Sequence, residues 1–115
     1  EVCGHARFRV CKFHDLFGDG QKDPGDPPLA GWVFTITGAL LEEPIVVTTG
    51  TDGCSEEVVV PVGPDGTATY FVQETVQPGW VQTTPDTNPV EVHVVSGPNP
   101  DVEFGNWQPR NDNGV

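Results

Sequence analysis

Phe8-Arg9-Val10-Cys11-Lys12-Phe13-His14-Asp15-Leu16-Phe17-Gly18-Asp19-Gly20-Gln21-Lys22-Asp23-Pro24-Gly25-Asp26-Pro27-Pro28-Leu29 runs from an alternating apolar segment straight into a carboxylate-rich loop. Successive side chains of an extended strand point to opposite faces. Phe8, Val10 and Lys12 therefore share one face, and Arg9, Cys11 and Phe13 share the other. The apolar stripe of this first strand, read over residues 8–13, ends on a lysine.

The loop that follows places Asp15, Asp19, Asp23 and Asp26 at relative positions 1, 5, 9 and 12, with Gly20 at position 6. A hard dication needs several oxygen ligands around one point, a backbone carbonyl at position 7, and a sharp bend at position 6 that suits glycine. The spacing predicts a calcium loop. Its departures from the EF-hand pattern are Phe17 at position 3 and an aspartate, shorter than the usual glutamate, at position 12. The competing reading is a solvated acidic turn, which Gly, Pro and Asp also favour.

Working outward, the 115 residues suffice for one domain with a single modest core. Hydrophobic residues make up 36%, and 14 Gly and 12 Pro punctuate short Val- and Thr-rich runs, so the chain reads as all-β with many turns. No apolar run is long enough to span a membrane, and no signal-peptide pattern opens the sequence, which reads as a mature or excised piece. Seventeen acidic residues against 5 Lys and Arg give a net charge of −12. Nucleic-acid binding, which is driven by Lys and Arg neutralising phosphates, is not expected. Cation binding is.

Three cysteines, Cys3, Cys11 and Cys54, permit one disulfide, worth about 2–4 kcal/mol, and leave one thiol for a second chain in an exported protein. The sequence does not choose among the three pairs. By strand register Cys11 falls outside the main core. Cys3, His5, Cys11 and His14 also make a metal-ligand set. They alternate along one extended segment rather than sitting on knuckle turns, so surface histidines and disulfide cysteines are expected instead.

Residues 1–7 read as an entry segment. Beyond Pro27-Pro28, Trp32, Phe34 and Ile36 point inward and Val33, Thr35 and Thr37 outward. Short strands follow at 45–49 and 57–62, the latter at an edge because of Pro61. Gly63-Pro64-Asp65-Gly66 is a turn. A strand over 67–75 places Tyr70, Val72 and Glu74 on one face, 77–85 turns into a short extended piece, and 89–95 aligns Val90, Val92 and Val94. The last strand, 101–106, aligns Val102, Phe104 and Asn106. Residues 1–107 thus form the domain and 108–115 a polar tail or linker.

Three strands each end an inward apolar stripe with a reactive group: Lys12, Glu74 and Asn106. Desolvation favours the neutral, nucleophilic amine of a buried lysine. Glu74 in an apolar surround would keep its proton, polarise the Asn106 carboxamide and shuttle protons to the departing ammonia. Held in contact, the groups would form a Lys12–Asn106 isopeptide bond once, without turnover. That bond would tie the first strand to the last and constrain the unfolded chain by about 4–5 kcal/mol. The alternative is a partly buried Lys12–Glu74 ion pair with Asn106 capping a turn, an arrangement that needs water or exposure.

The motifs Cys11-Lys12-Phe13-His14-Asp15, Gly18-Asp19-Gly20, Asp23-Pro24-Gly25-Asp26 and Leu29-Ala30-Gly31-Trp32 are followed by Gln73-Glu74-Thr75, Gln77-Pro78-Gly79-Trp80-Val81-Gln82-Thr83 and Phe104-Gly105-Asn106. Together they resemble the SdrD B-like repeat domains of microbial surface proteins, which belong with the Cna B-like β-sandwiches. The resemblance covers roughly residues 8–107. It implies a single Greek-key, prealbumin-like (Ig-like) sandwich of about seven strands. It also implies an extracellular, calcium-loaded stalk or filament module that neighbours other copies of its kind. Carried over by position, Asp15, Asp19, Asp23 and Asp26 become calcium ligands with the Gln21 backbone carbonyl, and Phe17 replaces the usual Asn. Lys12, Asn106 and Glu74 take the places of the Lys, Asn and Glu of relatives with internal isopeptides. The cysteines are additions to the family pattern and point to covalent linkage between subunits. An adhesin-type binding module, with Trp80, Trp107 or Phe17 as an aromatic platform for carbohydrate or protein, is the second reading. A turnover enzyme is the weakest, because no nucleophile elbow, triad order or phosphate loop is present.

Overall fold

The computed structural model describes residues 4–108. These contain ten strands and no helix: β1 (His5–Phe8), β2 (Val10–His14), β3 (Val33–Thr37), β4 (Ile45–Thr48), β5 (Val58–Pro61), β6 (Thr67–Glu74), β7 (Val81–Thr84), β8 (Val90–Val95), β9 (Gly97–Pro98) and β10 (Val102–Trp107). The expected tail beyond Gln108 and the candidate Cys3 lie outside the described residues. The strands form one four-stranded sheet, β4-β3-β6-β8, and two three-stranded sheets, β5-β1-β9 and β2-β10-β7. The all-β sandwich expected from the sequence is the fold found.

The first strand is longer than its apolar pattern predicts, and it is divided at Arg9. Strand structure begins at His5 rather than after an entry segment, because β1 has partners on both sides. It runs antiparallel to β5, with Ala6 opposite Val60, and parallel to β9, with Ala6 opposite Gly97. A Gly-Pro dipeptide carries no strand signal, which hides β9 from the sequence. Past Arg9 the ladder passes from β9 to β10: Asn99 N donates to Arg7 O (2.9 Å) and Val102 N to Arg9 O (2.8 Å). The Arg9 side chain pairs with Asp101 at 2.9 Å across that junction. This division, together with β7 and β9, raises the strand count from about seven to ten.

β2 and β10 run parallel, with Val10 opposite Val102, Lys12 opposite Phe104 and His14 opposite Asn106. The two ends of the domain therefore lie side by side. Ala6, Phe8 and Val10 meet Trp32, Phe34, Ile36, Tyr70, Val72 and Val94 in the core, with the Phe104 ring 4.7 Å from that of Phe34 and tilted 51° to it. Pro61 sits on the edge strand β5, where its missing N–H costs no ladder bond. Cys11 is covered but stands apart from this core. It is joined to Cys54, whose hairpin lies along the outer edge of β2 with the two Cα atoms 3.9 Å apart.

Candidate cross-linking site and acidic loop

Three different elements deliver Lys12, Glu74 and Asn106 to one point. β2 is fixed at Lys12 by its own backbone: Lys12 N donates to Gly53 O (2.6 Å) and Lys12 O accepts from Leu29 N (3.0 Å). β10 brings Asn106 alongside, and β6, on the facing sheet, brings Glu74, whose strand neighbour is Phe34. All three residues are buried to 2% exposure or less. The Lys12 amine donates to Asn106 Oδ1. It lies 4.0 Å from Glu74 Oε2 and 4.4 Å from the centroid of the Trp32 ring.

The electrostatics follow from burial. Desolvation lowers the Lys12 amine to about 8, against the upward pull of the charges on Glu74 and Asp15. Desolvation raises the Glu74 carboxyl, and Lys12 and then the approach of Asn106 offset part of that rise. Neither Glu74 oxygen has a hydrogen-bond partner, and Asn106 Nδ2 has none either. A buried ion pair is worth its desolvation only when such lone pairs and protons are satisfied. Here an amine touches a carboxamide, the carboxamide nitrogen is unheld, and the nearby carboxyl is biased toward its neutral form.

Directly after β2, Asp15 is fully buried at the root of the acidic loop. Its Oδ1 accepts from the Asp19 amide (3.3 Å), and its Oδ2 accepts from the Gly20 amide (2.8 Å) and the Thr83 hydroxyl (2.6 Å). Burial alone raises this carboxyl, but the bonds from Thr83, Gly20 and Asp19 outweigh it and hold it below its ordinary value. Gly20 bends the loop at φ 76°, a conformation costly for any residue with a Cβ. Carboxylate oxygens of Asp15, Asp19 and Asp23 all come within 4.8 Å of one another. Asp23 Oδ2 is buried with no partner in hydrogen-bond geometry. The Asp23 carboxyl is raised, first by the close approach of the Asp19 side chain, then by burial and by the charges of Asp19, Asp26 and Asp15. An orphaned carboxylate oxygen facing two other acids is an arrangement that a divalent cation fits.

The remaining expected ligands are placed differently. Asp26 spends both oxygens on backbone, accepting from Leu16 N (3.2 Å) and Asp23 N (2.9 Å), so it closes the loop and stands outside the three-carboxylate cluster. Gln21 is exposed, and its amide donates to Asp19 Oδ1 (3.0 Å). Thr83 and Trp32 are functional neighbours that the sequence did not single out. The face of Trp32 follows from strand alternation, but nothing local to Thr83 announces that its hydroxyl reaches Asp15 68 residues away. Of the aromatic residues considered as a platform, Trp80 packs edge-on against Trp32 (5.3 Å) and His14 (4.8 Å), and Trp107 lies beneath Gly18. Only Phe17, at 73% exposure, is displayed. Of the cysteines, Cys11 and Cys54 pair with each other, which removes Cys11 from any metal set with the histidines.

No model of a known protein family matches the sequence, and no curated protein matches it. Solved structures do. The fold is similar to a part of the Bacillus anthracis TIE protein, with a TM-score of 0.62 and 23% identity over 94% of this chain. It is similar to GBS52, the minor pilin of Streptococcus agalactiae (TM-score 0.65, 16% identity, 96% of this chain). It is also similar to a mutant of the shaft pilin SpaA from Lactobacillus rhamnosus GG (TM-score 0.56, 16% identity, 95% of this chain). The chain spans 17% of the TIE protein and 47% and 52% of the two pilins. The molecule is thus a β-sandwich of the kind found in Gram-positive pilins, and the Cna B-like resemblance holds at the level of fold. Among the described residues no helix is long and apolar enough to cross a membrane.

Proposed function

We propose that this domain is an extracellular structural module, a stalk or filament subunit of a cell surface, stiffened by a Lys12–Asn106 isopeptide bond and a calcium loop. The observation that carries the reading is the buried contact of the Lys12 amine with Asn106 Oδ1 beside a Glu74 carboxyl whose oxygens have no other partner. In the reaction the Lys12 Nζ lone pair adds to the Asn106 side-chain carbonyl carbon while Glu74 donates its proton toward the carboxamide. The bond from that carbon to Nδ2 then breaks. Glu74 takes the proton that Nζ sheds and passes it to Nδ2, so ammonia leaves, and as the carbonyl re-forms its oxygen returns the first proton to Glu74, which regenerates the acid. The product amide replaces an unheld carboxamide and a desolvated amine with one neutral linkage.

The pilin likeness supports a load-bearing role, and the adjacency of β2 and β10 puts the bond where load would enter and leave. Asp15, Asp19 and Asp23 would hold calcium, with Asp26 bracing the loop and Gln21 offering its carbonyl. The ion would supply only charge neutralisation and rigidity. Since Cys11 and Cys54 are joined, Cys3 is the cysteine left to link the domain to a neighbouring copy. Intact-mass measurement and peptide mapping test the central step. We expect a chain lighter by one ammonia, with the Lys12 and Asn106 peptides joined; the full mass with both peptides free contradicts it. Calcium should raise the melting temperature relative to chelator by mass action. Non-reducing gels should show ladders that collapse with thiol.

A further inference from the structure

We propose that Asp15 is a positioning residue of the cross-linking step, through which cation occupancy of the acidic loop sets the rate at which Lys12 joins Asn106. The inference rests on the isopeptide and calcium readings above and adds a coupling between them.

Asp15 belongs to both sites. Its backbone N donates to Asn106 O (2.7 Å), so the residue at the root of the loop holds the residue that must present its carboxamide. Its side chain is tied toward the same strand a second time, because the Thr83 hydroxyl donates to Asp15 Oδ2 and Thr83 lies in β7, whose Thr84 pairs with Gly105 of β10. The loop, β7 and β10 therefore converge on the backbone on either side of the reacting asparagine. Any ion that draws Asp15, Asp19 and Asp23 together fixes that backbone.

The second coupling is electrostatic. The charged and titratable groups around Lys12 are Glu74 from β6, Asp15 from the loop, and His14 further along the face of β2; Trp32 from the facing sheet and Asn106 from β10 are neutral. A bare Asp15 carboxylate in this dry surround favours the ammonium form of Lys12, which is not a nucleophile. A cation shared by Asp15, Asp19 and Asp23 screens that charge and releases the amine. The covalent balance is unchanged: the C–N bond to Lys12 forms, the bond to Nδ2 breaks, ammonia leaves, and the cation is not consumed.

The test uses the full chain, recovered unfolded and unreacted, then refolded in a glutathione buffer with either calcium chloride or chelator. Ammonia loss is followed by intact mass across a pH series. In calcium the reaction should be faster, about tenfold for each pH unit by which the amine's titration moves down. Its rise with pH should also come earlier. Asp15→Asn should show, in either buffer, the early rise with pH of the calcium-loaded natural chain but the slower plateau of the natural chain in chelator, because it lacks both the charge beside Lys12 and the ion-drawn backbone. A merely structural Asp15 would instead slow the reaction at every pH without moving the profile, and that result overturns the proposal. As a second variant, Asp19→Asn with Asp23→Asn keeps Asp15 beside Lys12 and should stay slow in both buffers. Equal rates with and without calcium, in a chain whose melting temperature rises with calcium, overturn the coupling alone. Absence of any calcium effect on melting removes the calcium reading and the coupling with it. Absence of ammonia loss in every condition removes the cross-link reading as well.

Discussion

At the scale of single residues, the costs at Lys12, Glu74 and Asn106 have one common resolution. A lysine with no exposed side-chain surface is unfavourable as an ammonium, and a buried glutamic acid without donors is unfavourable as a carboxylate. Both prefer neutrality, and neutrality is what the amide-forming step requires of them. Glu74→Ala should leave the chain at full mass, as should Lys12→Ala and Asn106→Ala, and each unreacted chain should lose about 4–5 kcal/mol of unfolding free energy in denaturant titrations. The reaction should also depend on pH with a fixed sign. Only the unprotonated amine attacks, so below the Lys12 value of about 8 the rate should rise with pH. A rate that falls from neutral pH toward 8 contradicts these roles. These three residues were legible in the sequence because strand alternation alone fixes which face a side chain takes. Their mutual contact was not, since it depends on how two sheets stack.

At the scale of elements, the acidic loop and the Cys54 hairpin brace the two ends of β2. Asp23→Asn removes the charge of the orphaned oxygen and should diminish the calcium-dependent rise in melting temperature, read by thermal scans in calcium and chelator. Thr83→Val deletes the hydroxyl bond to buried Asp15 and should cost about 1–3 kcal/mol. Asp26→Asn should chiefly loosen the loop, because that carboxylate is occupied by the Leu16 and Asp23 amides. The hairpin has its own constraint at Gly53, with φ 84° and a would-be Cβ 2.8 Å from Lys12 O and 2.6 Å from Pro28 Cβ. Gly53→Ala should destabilise by about 1–3 kcal/mol in chemical denaturation and slow the cross-link by shifting Lys12. The inward and outward faces of β3, β6 and β10, and the edge placement of Pro61, could be read from periodicity and from proline's missing donor. β9 and the break at Arg9 could not, because each depends on a partner far away in the chain. Likewise the pairing of Cys11 with Cys54 is decided by the hairpin lying against β2, which no spacing of three cysteines reveals.

At the scale of the whole molecule, the disulfide and the proposed isopeptide bond would divide the chain into load-bearing and sheltered parts. The disulfide closes a ring from Cys11 to Cys54 that holds the acidic loop, β3 and β4. The isopeptide bond would span from Lys12 to Asn106 and shelter nearly all the rest. Tension applied at the two ends would then pass from β2 directly into β10, which lies beside it in parallel register. In an Asn106→Ala chain the disulfide becomes the first barrier, so stretching should release only the chain outside the Cys11–Cys54 ring, and thiol should lengthen that release to include residues 12–53. Single-molecule stretching of the natural chain from its two ends tests the mechanical claim most directly. No extension should occur between Lys12 and Asn106 at any force below bond rupture, with or without thiol; an unfolding step that releases that segment rules out the bond.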